Sequence, residues 1–245
     1  KLASTSSAFL AGGMTSIPSM KLGLATYKDI IDIKHIKKLS GIKVKGKSVT
    51  IGATTKHAEV ASSKDVQKAI PSLAKLAGGI GDAQVRNRGT VGGSIANNDP
   101  SACYPSACMA LNAIIHTNNR KIKAAKFFKG MFETVLKKGE IIEAVEFQIP
   151  NKSNYQKHSN PASRYAIVGV YLAKHKNEVN VAITGAQSVV YIEKDLSKAL
   201  SSNFSSSAVD AMKLDSSEMN SDIHASADYR ASLIITYTKK AVEAC

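Results

Sequence analysis

The sequence has few of the residues that build metal, cluster and disulfide sites. It contains three cysteines, six histidines and no tryptophan among 245 residues. Cys103, Cys108 and Cys245 form no C-x-x-C pair, which indicates free thiols in a reducing compartment instead of zinc or iron–sulfur ligands. The histidines lack metal-ligand spacing, so surface or capping roles are predicted for them. We therefore expect no metal centre in this chain.

Apolar runs of membrane-spanning length are missing as well. None approaches the roughly 20 residues that cross a bilayer. The sequence also opens with no secretory signal. Together with the unpaired cysteines, these absences predict a cytoplasmic protein without a membrane span.

Acidic residues are fewer than basic ones. The chain has 33 lysines and arginines but 19 aspartates and glutamates, which gives a formal net charge of +14. The lysines are dispersed, and the few aromatic residues form no stacking pattern beside them, which argues against nucleic-acid binding. A basic field instead favours an anionic cofactor or an acidic partner surface.

Two glycine-rich segments are the most informative part of the chain. They are 10–18 (LAGGMTSIP) and 86–95 (RNRGTVGGSI), about 80 residues apart. Neither follows G-x-G-x-x-G, and in neither is a glycine followed by Lys and then Ser or Thr. Glycine permits positive φ, expected here at Gly93, and close approach of a ligand, while Thr and Ser add donors to phosphate. Each segment alone also fits an ordinary tight turn, but together they predict two loops that clasp an extended dinucleotide.

Strands and helices are predicted in a mixed order without strict alternation. We expect strands that end at Leu10 and cover 29–33, a hairpin over 44–51 with its turn at Gly46-Lys47, and adjacent strands over 166–173 and 179–184.

Further expectations concern helices and one connection. Thr55 is predicted to cap a helix that contains His57, and Phe127 with Phe128 to anchor a short helix in the core. The polar stretch 151–162 is the expected interdomain connection.

Five separated segments occur in the order typical of one protein family. With them, the chain resembles the FAD-binding medium subunit of molybdenum hydroxylases, the carbon monoxide dehydrogenase and xanthine dehydrogenase family. The similarity runs over nearly all 245 residues. The segments are 10–25 (LAGGMTSIPSMKLGLA), 51–54 (IGAT), 84–100 (QVRNRGTVGGSIANNDP), 139–150 (GEIIEAVEFQIP) and 222–230 (DIHASADYR).

The resemblance implies an α+β fold. It consists of a two-lobed FAD-binding domain of the molybdopterin dehydrogenase (PCMH-like) type, expected at 1–150, and a smaller C-terminal α+β flavoprotein lobe, expected at 151–245. Members of the family open with a further strand and helix, so we expect that segment to be missing before Lys1.

The resemblance also implies the cofactor-binding residues. The first glycine segment is expected to bind the FAD pyrophosphate, chiefly through backbone amides, and the second to contact phosphate or ribityl oxygens. The expected residues of the first segment are Ala11, Gly12, Gly13, Met14, Thr15 and Ser16. Those of the second are Thr90, Gly93, Ser94 and Asn98, with Asp99 shaping the loop.

Other positions keep two interpretations each. Ile142 is expected against a cofactor ring or in a core strand, and Tyr165 beside the isoalloxazine or at the start of a half-buried strand. Cys103 stands where many relatives have an Asp that contacts the flavin end, so a flavin contact and a structural role are both open. Arg86 and Arg88 are expected either to neutralise phosphate or to lie exposed.

The function implied is electron transfer. The chain would pass electrons through non-covalent FAD from the 2Fe–2S clusters of a small partner subunit to an external acceptor, while a large molybdopterin subunit oxidises the substrate, in a dimer of heterotrimers. No residue of this chain is expected to catalyse substrate oxidation itself. A stand-alone FAD-dependent oxidoreductase is the alternative, and a scaffold that has lost FAD is a third. The substrate, whether carbon monoxide, an aldehyde or an N-heterocycle, and the acceptor stay open.

Overall fold

A computed structural model describes residues 7–245. In this part of the chain the strands are β1 (Ser7–Leu10), β2 (Asp29–Asp32), β3 (Ile42–Lys45), β4 (Ser48–Gly52), β5 (Ile114–Thr117), β6 (Lys121–Lys123), β7 (Phe128–Gly130), β8 (Glu133–Thr134), β9 (Ile142–Gln148), β10 (Lys152–Ser159), β11 (Ala166–Lys174), β12 (Val179–Thr184) and β13 (Tyr191–Ile192). The α-helices are α1 (Ser16–Lys21), α2 (His57–Ser62), α3 (Lys64–Ala69), α4 (Pro71–Gly78), α5 (Ala83–Arg86), α6 (Val91–Asn97), α7 (Tyr104–Ala110), α8 (Lys194–Ser202) and α9 (Ala227–Glu243). Short 3₁₀ helices lie at Lys37–Leu39, Ala124–Lys126 and Ser206–Val209.

The first two strands form a small parallel sheet. β1 pairs with β2, and α1 lies in the connection between them, as parallel pairing requires a crossover. The predicted strands that end at Leu10 and cover most of 29–33 are confirmed. The first glycine segment therefore leaves the carboxyl end of β1 and enters α1.

A five-stranded antiparallel sheet in the order β3-β4-β9-β5-β6 carries the first core. Its inward side chains include Ile51, Ile115 and Phe147, all completely buried, and α4 and α7 contribute to the same apolar cluster. The predicted hairpin over 44–51 is confirmed by β3 and β4, and the φ of +58° at Gly46 explains why glycine occupies its turn.

A second antiparallel sheet, β10-β11-β12-β13, separates the first core from a second one. Side chains of β11 alternate between the two: Tyr171 packs in the first core, whereas Val170 and Leu172 pack in the second with α8 and α9. A strand buried on both faces has a continuous apolar sequence, which is what 166–173 shows. The predicted pairing of 166–173 with 179–184 is confirmed, and so is the α+β class.

The expected connection at 151–162 is wrong for most of its length. Residues 152–159 form β10, which pairs with β11 along its whole length. Its polar residues mislead because β10 is the edge strand of its sheet, and of its residues only Asn154 and Tyr155 are buried. The domain boundary near Asn151 stays a prediction.

Two predicted helix features also differ from the structure. Thr55 does not cap α2; its hydroxyl instead accepts from the Gly41 amide at 3.0 Å and donates to the Gly41 carbonyl oxygen at 3.2 Å. Phe127 follows a 3₁₀ turn and is completely buried as expected, whereas Phe128 begins β7. No helix in residues 7–245 has the length and apolarity of a membrane span.

Arg230 of α9 fastens the carboxyl-terminal helix to the second sheet. Its guanidinium donates to the carbonyl oxygens of Ile167 (2.6 Å) and Gly185 (3.0 Å) and to the Asp222 carboxylate (2.7 Å), and the residue is 3% exposed. Asp222 and Arg230, both in the family segment 222–230, thus serve the packing of the carboxyl-terminal helix.

We expect Arg230→Ala to lower the free energy of unfolding by about 3 kcal/mol, because two buried carbonyl groups and a carboxylate lose their donor. Urea unfolding followed by circular dichroism measures this loss. Lys198→Ala on the exposed face of α8 is the matched control and should change stability by less than about 0.5 kcal/mol. Equal stabilities of Arg230→Ala and the control would contradict the assignment.

Candidate functional site

The two glycine-rich segments and the turn between β10 and β11 enclose a cavity of about 540 Å³. This volume lies within the range typical of cofactor sites. Twelve of the thirteen residues predicted to bind the cofactor line it. They are Ala11, Gly12, Gly13, Met14, Thr15, Ser16, Thr90, Gly93, Ser94, Asp99, Ile142 and Tyr165.

The first glycine segment presents free backbone donors to this cavity. Within residues 7–245, no acceptor is hydrogen-bonded to any of the five consecutive amides of residues 12–16. Gly13 has a φ of +75°, which lets the chain turn from β1 into α1. A run of unpaired amides around one concavity is an arrangement that binds anions.

Direct backbone contact joins the two glycine segments. A Cβ at Gly12 would overlap the carbonyl oxygen of Arg88 and would lie 2.9 Å from the Gly89 Cα. Only glycine permits this approach, so Gly12 is required by packing as well as by any ligand. The contact brings two segments, distant in sequence, to one cavity.

The second glycine segment differs from its prediction. Residues 91–97 form α6 instead of a loop, and Gly93 does not have positive φ. Thr90 caps this helix by accepting from the Gly93 amide at 3.2 Å, and the amides of Val91, Gly92 and Ser94 also donate to protein oxygens. The amides of residues 91–94 are therefore all paired, and the hydroxyl groups of Thr90 and Ser94 are the side-chain donors that this segment offers to the cavity.

Asn98 is the one predicted residue that the structure does not bring to the cavity. It ends α6 with a φ of 45°, is 1% exposed, and donates through its side-chain amide to the carbonyl oxygens of Gly130 (2.7 Å) and Glu133 (2.8 Å). Its own carbonyl oxygen accepts from the Phe132 amide at 3.1 Å. Asn98 thus braces the β7–β8 hairpin and has no donor left for a cofactor.

A buried histidine in the cavity wall was missed by the sequence analysis. His57 is 4% exposed, its Nδ1 has no partner within residues 7–245, and its ring lies 5.4 Å from that of Tyr104. Burial, with a smaller contribution from the charge of Arg86, lowers the pKa of His57 to about 4. The imidazole is therefore neutral. A Cβ at Gly89 would lie 2.6 Å from its Nε2, so His57 occupies the space that this glycine leaves.

Two carboxyl groups line the cavity in different protonation environments. Glu140, also missed from sequence, receives two hydrogen bonds from Arg120 and one from Thr117, which lower its pKa to about 2. Burial raises the pKa of Asp99, although its carboxylate accepts from the Ser101 amide at 2.8 Å. The charge of Glu140 is compensated locally, so it adds little negative potential to the cavity.

Cations without carboxylate partners lie at one rim. The side chains of Arg86, Lys157 and Arg164 converge on the carbonyl oxygens of residues 79–81, which follow α4. In the described part of the chain, none of the three forms a salt bridge. Their charges leave a positive potential that favours an anionic ligand. Neither Arg86 nor Arg88 is among the residues that line the cavity.

Exposure separates the remaining predicted positions. Ile142 is 5% exposed at the start of β9 and Cys103 5% exposed just before α7, whereas Met14 and Tyr165 are 40% and 46% exposed at the mouth. The Cys103 sulfur lies 3.6 Å from Lys157 Nζ. Ile142 and Cys103 therefore combine a core position with a surface toward the cavity.

Another phosphate motif matches the sequence but not the structure. Residues 41–48 have the spacing G-x-x-x-x-G-K-S, which the sequence analysis overlooked. A phosphate-binding loop of that type leads from a strand into a helix, whereas here the segment forms β3, a tight turn and β4. The match is therefore incidental, and none of these eight residues lines the cavity.

Comparisons with known proteins point to one family. A family model described as the FAD binding domain in molybdopterin dehydrogenase matches residues 1–152. The carbon monoxide dehydrogenase medium chain of Hydrogenophaga pseudoflava is 32% identical over 253 residues, which is 96% of this chain and 88% of that one. The glyceraldehyde dehydrogenase medium chain of Sulfolobus acidocaldarius is 38% identical over 170 residues, covering 67% of this chain and 60% of the relative's length.

Among solved structures, carbon monoxide dehydrogenase from Oligotropha carboxidovorans has a TM-score of 0.88 at 26% identity. The superposition covers 98% of this chain and 89% of that one. The predicted family resemblance and fold are thereby confirmed.

The neutral state of His57 predicts a pH-dependent contribution to stability. Because its folded pKa of about 4 lies below the ordinary 6.5, the unfolded chain takes up a proton first as pH falls, and the wild type loses stability. Between about pH 7.5 and about pH 4.5, His57→Gln should lose about 2 kcal/mol less than the wild type. Urea unfolding at both pH values measures the difference. His35→Gln, at an exposed position, is the control and should lose as much stability as the wild type. An equal loss in His57→Gln would contradict the prediction, because it would mean that the folded state also protonates the imidazole.

Proposed function

Since the chain belongs to the family of FAD-binding domains of molybdopterin dehydrogenases, we propose that it is the flavoprotein subunit of a molybdenum hydroxylase and that its cavity binds FAD without a covalent bond. The observation that carries the assignment of the cavity is the run of five unpaired amides at residues 12–16. The unpaired cations at the rim suit the same anionic cofactor.

Different residues around the cavity are assigned to different parts of FAD. We assign the pyrophosphate to the amides of 12–16, in agreement with their position beside the Gly12–Arg88 contact. Thr90 and Ser94 offer hydroxyl groups to phosphate or ribityl oxygens, Ile142 offers an apolar surface to a ring, and Tyr165 offers an aromatic one at the mouth. Asn98 is withdrawn from this set.

Bound FAD supplies an acceptor of single electrons that releases them in pairs. The chain itself binds, orients and shields the cofactor. Its buried His57 imidazole, with a pKa lowered to about 4, and the carboxylate of Glu140, held by Arg120 with a pKa lowered to about 2, are both weak bases, so neither is suited to take a proton from an organic substrate. Substrate oxidation is therefore assigned to a partner subunit.

The partners follow from the family. Relatives are named medium chains, such as that of nicotine 6-hydroxylase from Paenarthrobacter nicotinovorans. We propose a small iron–sulfur subunit as electron donor, a large molybdopterin subunit, and a dimer of heterotrimers in the cytoplasm. The three cysteines of this chain are free and include no group able to hold a cluster within residues 7–245, which fits an external electron donor.

Purification from the native host tests the assembly. Native mass spectrometry should show the chain with both partners, and the visible spectrum should be that of a flavoprotein. Acid precipitation should release the flavin into the supernatant; colour on the precipitate would instead indicate attachment, with Cys103 and His57 as the lining nucleophiles. A flavin-bearing monomer reduced directly by an organic substrate would support the stand-alone oxidoreductase, and a colourless complex would support the scaffold.

Gly12→Ala tests the cofactor site itself. The added Cβ overlaps the Arg88 carbonyl oxygen and forces the two glycine segments apart. We expect FAD affinity to fall at least about 100-fold, since several hydrogen bonds to the pyrophosphate lose their geometry together. Fluorescence titration of the apoprotein measures the change.

Gly78→Ala is the matched control, because its Cβ would meet only Ala61 at 3.7 Å in an α-helix. It should bind FAD as the wild type does. Arg88→Ala should also leave affinity nearly unchanged, because only the main chain of Arg88 contacts Gly12. Comparable losses of FAD affinity in Gly12→Ala and Gly78→Ala would contradict the proposal that the two glycine segments bind FAD.

A further inference from the structure

The turn 160–165 between β10 and β11 forms one wall of the cavity. This turn is closed on itself, because the Asn160 amide donates to the Tyr165 carbonyl oxygen at 2.8 Å and the Asn160 side chain accepts from the amides of Ala162 and Ser163. Arg164 has a φ of 61° within it. The turn is thus a preformed unit, and Ser163, Arg164 and Tyr165 line the cavity.

One side chain joins this turn to the opposite wall. The ammonium of Lys157 on β10 donates to the Arg164 carbonyl oxygen at 2.9 Å and to the Gly79 carbonyl oxygen at 2.7 Å, and lies 3.6 Å from the Cys103 sulfur. All three donors of the ammonium therefore have a neighbour. The three neighbours come from the turn, from the end of α4 and from the residue before α7.

The carbonyl groups after α4 suit a cation. A helix concentrates partial negative charge at its carboxyl end, and Gly79 directly follows the last residue of α4. Arg164 adds a second contact across the same gap, from its Nη1 to the Gly81 carbonyl oxygen at 3.2 Å. Because no carboxylate within residues 7–245 pairs with Lys157 or Arg164, these carbonyls are their principal acceptors.

We infer that Lys157 is a positioning residue that straps the 160–165 turn across the mouth of the cavity and thereby retains FAD. The inference rests on the proposed function, since it assumes FAD in this cavity. Lys157 does not line the cavity and acts only through the turn and the opposite wall. Release of the strap would let Tyr165, already 46% exposed, move away from the mouth.

Lys157 and the amides of residues 12–16 should affect different rate constants of FAD binding. Lys157→Met keeps the length of the aliphatic side chain but removes the charge and its hydrogen bonds. We expect the rate of FAD dissociation to rise about tenfold, as the loss of a charge-assisted hydrogen bond predicts. The association rate should change by less than about twofold, because the amides of residues 12–16 are untouched.

The experiment uses FAD-loaded full-length chain in stopped-flow dilution, with recovery of free flavin fluorescence as the readout. Lys152→Met on the same strand is the matched control, since Lys152 is exposed, its ammonium lies over the Phe204 ring, and it does not line the cavity. Arg164→Ala should raise dissociation less than Lys157→Met. It also serves as the second test if Lys157→Met does not fold, because Arg164 lies in an exposed turn.

Quenching of the bound flavin by acrylamide, an uncharged quencher, reports access to the mouth of the cavity independently of the lost charge. Lys157→Met should increase quenching, and Lys152→Met should not. Wild-type dissociation rates in Lys157→Met, or equal increases in Lys157→Met and Lys152→Met, would overturn the inference. Absence of FAD binding in the wild type would instead overturn the proposed function, so the two failures are distinguishable.

Discussion

The approach of Gly12 to the main chain of Arg88 and Gly89 is the constraint on which the site depends. No side chain fits between the two backbones. The contact fixes the free amides of residues 12–16 against the wall that Thr90 and α6 provide. Two further close contacts of glycines support this arrangement. Gly92 approaches Ala53, and Gly89 approaches the ring of His57. Gly12, Gly89 and Gly92 thus serve close packing between segments, and this packing shapes the wall of the cavity.

The potential in the cavity is positive because its negative charge is paired and its nearby cations are not. Glu140 is neutralised by Arg120, and His57 is uncharged because its burial opposes protonation. Arg86, Lys157 and Arg164 are held by carbonyl groups, which orient a cation without cancelling its charge. The resulting positive potential favours a diphosphate, and the net charge of the whole chain, +14, has the same sign.

Patterns within one element were predictable, whereas relations between elements were not. The first glycine turn, the hairpin at Gly46 and the apolar strand 166–173 depend on local φ and hydrophobicity, and these were found. The second glycine segment was predicted as a loop but forms α6, which Thr90 caps. The polar edge strand β10 was predicted as a connection because its polar sequence has no local signal of the pairing with β11. His57 and Lys157 carry no local signature either. The role of His57 arises from burial against Gly89, about 30 residues away, and that of Lys157 from the Gly79 carbonyl group, about 80 residues away.

The second sheet contributes to the cavity through one turn. β11 packs against both cores, and its connection to β10 is the turn 160–165, which Arg164 joins to the Gly81 carbonyl oxygen. A ligand that contacts this turn and the 12–16 amides together stabilises the folded chain, since binding to the folded state alone adds free energy of unfolding. Bound cofactor therefore favours the arrangement in which Lys157 reaches Gly79, and that arrangement in turn favours the bound cofactor.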